Sequence, residues 1–218
     1  MTFLLYPFIA AALLVLIHVY FGSFVLKRGV IFVDLALAQW AALGYLVGKL
    51  FHVEHDFLLF LMAFLFTVIA SLLLTLFSYV YSGTNFQEAV IGIMYIAAIT
   101  LAVGIISLTG MEGHHLTEML TGHLLFVQPT ELWFATLLYA GIGGGMYFLH
   151  RWLDQARSKL GDFVFYVLFG LVVTSSVKMV GILLVFSYLV IPLLTVKVYT
   201  STFSKQLVYG GISINKAE

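Results

Sequence analysis

From Phe163 to Val196 the chain carries a single charge, Lys178. As one helix this stretch would run about 51 Å, against a bilayer hydrocarbon core of about 30 Å. It therefore has to turn back, and the polar run Ser175, Ser176, Lys178 is the expected place. The rest of the chain repeats the pattern. Apolar segments cover about 3–26, 30–50, 57–81, 89–108, 131–149, 162–177 and 179–196, which reads as about seven transmembrane segments. Of 218 residues, 62% are hydrophobic and 9% charged, where a soluble domain carries about 25% charged residues. Mean hydropathy is +1.10. The expected fold is an all-α polytopic membrane helix bundle, one transmembrane domain over residues 1–218. The first apolar run is too long for a cleaved leader, and no basic residue precedes it. Cysteine is absent, which excludes a disulfide framework, a thiolate metal site and a thiol nucleophile. A net charge of zero gives no electrostatic footprint for nucleic acid.

Charge placement sets the orientation. Lys27 and Arg28 follow the first span, Arg151, Arg157 and Lys159 the fifth, and Lys197, Lys205 and Lys216 the seventh. With seven spans these groups share one side, read as cytoplasmic; only Lys49 and Lys178 fall opposite. The N-terminus is therefore expected outside and the C-terminus inside. The outer side then collects His52, Glu54, His55, Asp56, Glu112, His114, His115, Glu118, His123 and Glu131. Translocated loops poor in Lys and Arg account for the acids but not for the histidines.

The outer segment GHHLTEMLTGHLLF reads as a short interfacial helix. His114 and His115 precede Glu118 by four and three residues, so all three can share a face. Imidazole with carboxylate suits Zn²⁺ and tolerates Mn²⁺ or Fe²⁺; polar side chains resting among headgroups are the alternative. HVEHD, from His52 to Asp56, is either a weak metal collector or a solvated turn. Gly44 with Gly48, and Gly141 with Gly145, are small-xxx-small pairs of the kind found where membrane helices approach closely. GYLVGKL is one residue short of a phosphate-binding loop and has Leu50 where Ser or Thr belongs. With no His-Glu-x-x-His or Gly-x-Ser-x-Gly motif either, the chain is not expected to be an enzyme or to hold its own ATPase site.

Four stretches resemble one family. FGSFVLKRGVIFVDLALAQWAALGYLVG resembles the second-helix region of metal-uptake ATP-binding-cassette transporter permeases, the membrane subunits of zinc, manganese or iron importers. QEAVIGIMYIAAITLAVGII resembles their span with an acid followed by Ile-Gly-Ile. HHLTEMLTGHLLFV resembles their outer segment ending Leu-x-Gly-x-Leu-Leu, and VKMVGILLVFSYLVIPLLTV their Lys-x-Val-Gly-x-Leu-Leu…Ile-Pro stretch. The four occur in family order across almost the whole chain. The resemblance implies a permease that pairs with a second copy as a homodimer in the inner (plasma) membrane. Cytoplasmic ATPase subunits would drive it and an extracytoplasmic metal-binding protein would deliver its cargo. ATP would be bound only by those partners; no cofactor is implied, and a divalent metal is the transported substrate. The coupling segment would be 199–207, with Tyr199, Thr200, Phe203 and Lys205 facing the ATPase. Members usually continue through further spans beyond it, whereas QLVYGGISI is too short to cross lipid; the expectation is that those helices are lost here or supplied elsewhere.

Many members carry Asp-x-x-x-His in the second helix, a spacing that sets the two ligands about 40° apart on one face. Here the acid is Asp34 and the partner Gln39, about 140° away on a regular helix, and Gln39 replaces an imidazole with an amide oxygen. Asp34 reads either as a ligand on the transport path, since ionisable groups inside membranes mark substrate routes, or as the N-cap of its helix. Glu88, opening the fourth span, has the same two readings. The site expected from sequence is thus Asp34, Gln39 and Glu88 along the path, with His114, His115 and Glu118 outside. The functional expectation is a divalent-metal importer permease. The alternatives are a permease for a metal chelate or other small substrate, and a non-transporting membrane subunit or stand-alone channel.

Overall fold

The computed structural model describes residues 5–80, 84–109, 122, 124–155 and 159–203. Within them are seven α-helices and no strand: α1 Leu5–Arg28, α2 Val33–Leu50, α3 Asp56–Val80, α4 Thr84–Thr109, α5 Pro129–Gln155, α6 Lys159–Val180 and α7 Ile182–Phe203, with a 3-10 turn over Leu124–Phe126 before α5. Stretches of α1, α3, α4 and α6 are long and apolar enough to cross a membrane by themselves: Leu5–Leu26, Asp56–Ser78, Phe86–Thr109 and Leu160–Val180. The fold is a polytopic helical membrane bundle, as expected.

α2 is the central helix. It packs on α3 and α4 and also meets α6 and α7, so Ala36, Leu37, Ala38, Ala41, Ala42, Leu43 and Leu46 are buried around nearly its whole circumference. Small residues allow this. A Cβ on Gly44 would lie 2.7 Å from the Met62 carbonyl oxygen and 2.9 Å from the Ala63 Cα, and one on Gly48 would lie 2.9 Å from Leu59 Cδ2. The Gly44/Gly48 pair is therefore the α2–α3 contact. The Gly141/Gly145 pair differs: a Cβ at either position would meet nothing within 4 Å, so that face of α5 has no neighbour among the described residues. On the other side of the bundle, Phe21 of α1 stacks on Phe169 of α6 with centroids 5.4 Å apart, and Phe165 lies 5.9 Å from Phe21.

The helix ends have local causes. α1 and α2 each close with a residue in the left-handed region, Gly29 at φ 72° and His52 at φ 58°. Val30 N–H reaches back to Val25 O and Val53 N–H to Gly48 O, the long bond of a Schellman closure. α5 opens on Pro129, and Glu131 accepts the N–H of Gln128 at 3.3 Å, one half of a capping box. The break between α6 and α7 falls at Gly181, φ 78°, not at Ser175–Lys178. The two serines stay helical because their hydroxyls bond the Val172 carbonyl at 2.8 and 2.6 Å. A polar side chain that satisfies itself within the helix does not end it. Glycine, free to take positive φ, does.

Contacts between distant segments sort the helix ends into two levels. At one, Arg28 of α1 pairs with Asp162 of α6 at 3.0 Å and lies 4.1 Å over the Phe165 ring, while Ile31, just before α2, donates its N–H to Glu88 of α4. At the other, Lys178 of α6 reaches Asp56 of α3 and Glu131 of α5. These are the groupings that alternating spans require.

Candidate functional site

The first turn of α2 holds a buried carboxylate that stands out among the described residues. Asp34 is 1% exposed, and neither of its carboxylate oxygens has a hydrogen-bond partner. The capping reading is overturned: α2 begins at Val33, its N-cap is Phe32, and no side chain closes it there. Asp34 lies two positions past the N-cap, inside the first turn. Burying an uncompensated carboxylate costs several kcal/mol or more, so this group needs either a proton or a cation.

Glu88 supplies what Asp34 does not. Its Oε1 accepts the Ile31 N–H at 2.6 Å, and its Oε2 is buried without a partner. α4 starts at Thr84, so Glu88 sits in the second turn and cannot cap its own helix; it fixes the approach of the chain into α2 instead. Gln39 is buried, at 6% exposure, within an unbroken α2, so it and Asp34 point in different directions, as the spacing predicted. Next to it, Trp40 donates its indole N–H to the Met94 carbonyl of α4 at 3.1 Å. The first half of α2 is thus held by two α4 groups, and Asp34 is left free between them. Among the described residues no three His, Asp or Glu side chains converge as a ready metal cage.

His114, His115 and Glu118 lie outside the described residues, as does Lys205. Tyr199, Thr200 and Phe203 form the last turns of α7, whose backbone continues without interruption past Pro192. In the HVEHD turn, His52, Glu54 and His55 are exposed, and His52 serves the closure of α2, which favours the solvated-turn reading.

Three polar features escaped the sequence reading. Thr67, Ser71 and Thr75 form a buried hydroxyl stripe on α3, with Thr67 3.3 Å from Thr174 of α6; their spacing of four was legible. Tyr139 of α5 meets Ser175 and Ser176 of α6 at 3.1 and 3.0 Å. His18 of α1 is fully buried, with Nδ1 2.8 Å from the Leu14 carbonyl and Nε2 unpartnered. The glycines of two of the quoted motifs also meet: Gly122, φ 60°, is seated so closely on the Val180–Gly181 peptide that a Cβ there would strike Val180 C and Gly181 N.

Comparison with known proteins agrees with this architecture. No curated protein matches the sequence. The solved structure of PsaBC from Streptococcus pneumoniae in complex with Fab is similar in fold, with a TM-score of 0.70 and 19% identity over 90% of this chain and 73% of that one. The model of the ABC 3 transport family matches residues 1–153 and 154–214. The chain belongs to that family, and is an integral membrane subunit of an ABC transporter rather than its ATPase.

Proposed function

We propose that the chain is the permease of an ATP-driven importer of a divalent metal ion: zinc, manganese or iron. The observation that carries this reading is Asp34, a fully buried carboxylate with two free oxygens on the central helix of a transporter subunit. A desolvated carboxylate of this kind is a binding group for a cation in transit, and intramembrane acids mark substrate routes. Gln39 is a further oxygen donor on the same helix, and Glu88 both holds the start of α2 and keeps a second free oxygen near that end. His114, His115 and Glu118 would collect metal at the outer surface.

The membrane is the inner (plasma) membrane, with the N-terminus outside, so that the end bearing Arg28 and Asp162 is cytoplasmic. The partners are cytoplasmic ATPase subunits acting through Tyr199, Thr200, Phe203 and Lys205, an extracytoplasmic metal-binding protein, and a second copy of the permease. Asp34→Asn tests the reading, because it keeps size and removes the charge a divalent ion needs in low dielectric. In reconstituted vesicles the variant should insert and melt like the parent but take up metal about tenfold more slowly or worse, equivalent to about 1.4 kcal/mol of lost cation stabilisation. Uptake of metal by the Asn variant at the parental rate would refute the path role. Metal counting in the same vesicles separates a bare ion from a chelate.

A further inference from the structure

At the end of the bundle that carries Asp56 and Glu131, a cavity of about 270 Å³ lies between α3, α5 and α6. α3 and α5 both pack on α6, and Phe60 of α3 meets Phe134 of α5 edge to face, with centroids 6.2 Å apart. The walls are layered. Asp56, Glu131 and Lys178 form the end layer, with Lys178 Nζ 3.6 Å from Asp56 Oδ2 and 4.0 Å from Glu131 Oε1. One turn further in along each helix, about 5–6 Å, the lining is Phe60, Phe134, Ala135 and Ser175. This inner layer offers water little. The Ser175 hydroxyl already lies 2.8 Å from the Val172 carbonyl and 3.1 Å from Tyr139, and a held water needs about two to four polar partners. The cavity is open sideways, since Phe57 and Phe134 in its wall are 68% and 51% exposed. Trp133, next to Phe134 and 70% exposed, sets this turn at headgroup depth, where tryptophan gathers in membrane proteins.

We propose that this wedge binds a membrane phospholipid with a primary-ammonium headgroup, phosphatidylethanolamine: one acyl chain lies against Phe57, Phe60 and Phe134, its phosphate pairs with Lys178, and its ammonium lies beside Asp56 and Glu131. Three features select this occupant. A charged end layer over an apolar inner layer repeats the order of a lipid, head outward and chain inward. The volume falls just below the about 300–1,000 Å³ of sites that enclose a whole small ligand, which fits part of one chain entering from the side. The rim holds both signs. Its two carboxylates disfavour a lipid of net negative charge, whereas a lipid with a phosphate and an ammonium gives each rim group an opposite partner. Lys178 has room for the phosphate, because its contacts at 3.6 and 4.0 Å are longer than the about 2.7–2.9 Å of a charge-assisted hydrogen bond. A quaternary ammonium has no N–H to give the carboxylates, so phosphatidylcholine is the weaker ligand. The inference rests on the proposed orientation only in assigning the lipid to the outer leaflet.

Native mass spectrometry of the full chain, released from detergent holding equimolar phosphatidylethanolamine, phosphatidylcholine and phosphatidylglycerol with identical acyl chains, reads the retained lipid directly. The parent should retain phosphatidylethanolamine over either competitor roughly two- to five-fold, the span of exposed ion-pair energies. Lys178→Gln should lower that retention by a similar factor, and Lys178→Arg should keep it. Asp56→Asn with Glu131→Gln leaves the phosphate partner in place and should erase the preference over phosphatidylcholine. Ala135→Leu fills the inner layer and should reduce retention of all three lipids. Lys49→Gln removes a lysine at the same end of the bundle, in the last turn of α2, and should change nothing. Melting in the same detergent identifies any variant that misfolds, and Lys178→Arg and Ala135→Leu test head and chain separately. A parent that prefers phosphatidylglycerol, retains the ethanolamine and choline lipids equally or retains no lipid would overturn the proposal. So would a loss in Lys49→Gln equal to that in Lys178→Gln, or unchanged retention in Ala135→Leu, the result expected if detergent, a second copy or another segment of the chain fills the wedge. Transport does not enter the readout, so a failed Asp34 uptake assay and a failed lipid assay are separate results.

Discussion

Neither Asp34 nor Glu88 caps its own helix. The acid at the start of α2 caps nothing, and an acid from another helix receives the N–H of Ile31 at 2.6 Å. Glu88→Gln keeps a carbonyl oxygen for that bond, whereas Glu88→Ala leaves a part-buried donor unsatisfied, at a cost of about 1–3 kcal/mol. The Ala variant should melt at lower temperature in detergent than the Gln variant, and equal melting would show the contact to be unimportant for folding. Asp34 was legible in the sequence as an anomaly, because nothing else in its run is charged except Lys49 near the far end. Its failure to cap was not legible. Capping preference is local, and the group that supplies the alternative acceptor comes from a different helix. The angle between Gln39 and Asp34 was legible because the separation of two positions on one regular helix depends on spacing alone.

At the scale of the element, hydropathy located the seven helices found among the described residues, and the turn between the last two was misplaced. In water, a Ser-Ser-x-Lys run inside an apolar stretch is a fair sign of a break. In an apolar surround a serine hydroxyl has few partners better than the carbonyl one turn back, and here Ser175 and Ser176 use it. Gly181→Ala should therefore cost about 1–2 kcal/mol, the penalty for a left-handed L-residue. Ser176→Ala should cost about 0.6 kcal/mol, the mean for a side-chain hydrogen bond between membrane helices. Thermal unfolding of the two variants in one detergent orders them; a larger loss for Ser176→Ala would move the structural pivot back to the serines. The two glycine pairs make a similar point. Both have the spacing of a helix contact, but among the described residues only Gly44/Gly48 has another helix against it, and spacing alone does not say whether a neighbour is there.

For the whole molecule, the distribution of Lys and Arg predicts which end faces the cytoplasm, and the cross-helix contacts group the helix ends as that prediction needs: Arg28 with Asp162, and Asp56 and Glu131 with Lys178. Cysteines at Glu54 and at Ser204 should accordingly be labelled from opposite sides of sealed cells by an impermeant reagent, and labelling of both from outside would invert the assignment. The family was legible because its motifs are short and ordered along the chain. What they do to each other was not, since residues far apart in sequence meet only in the folded state. The seat of Gly122 on Val180 and Gly181 is the clearest case. Every atom that a Cβ at Gly122 would strike most closely is main chain: Val180 C, Gly181 N and Val180 O. No exchange of a neighbouring side chain can make room there. In the language of genetics, a substitution at Gly122 has no single-residue suppressor on the opposing surface. Reversion has to come from the same codon, or from a change in length that lets one chain segment step away from the other.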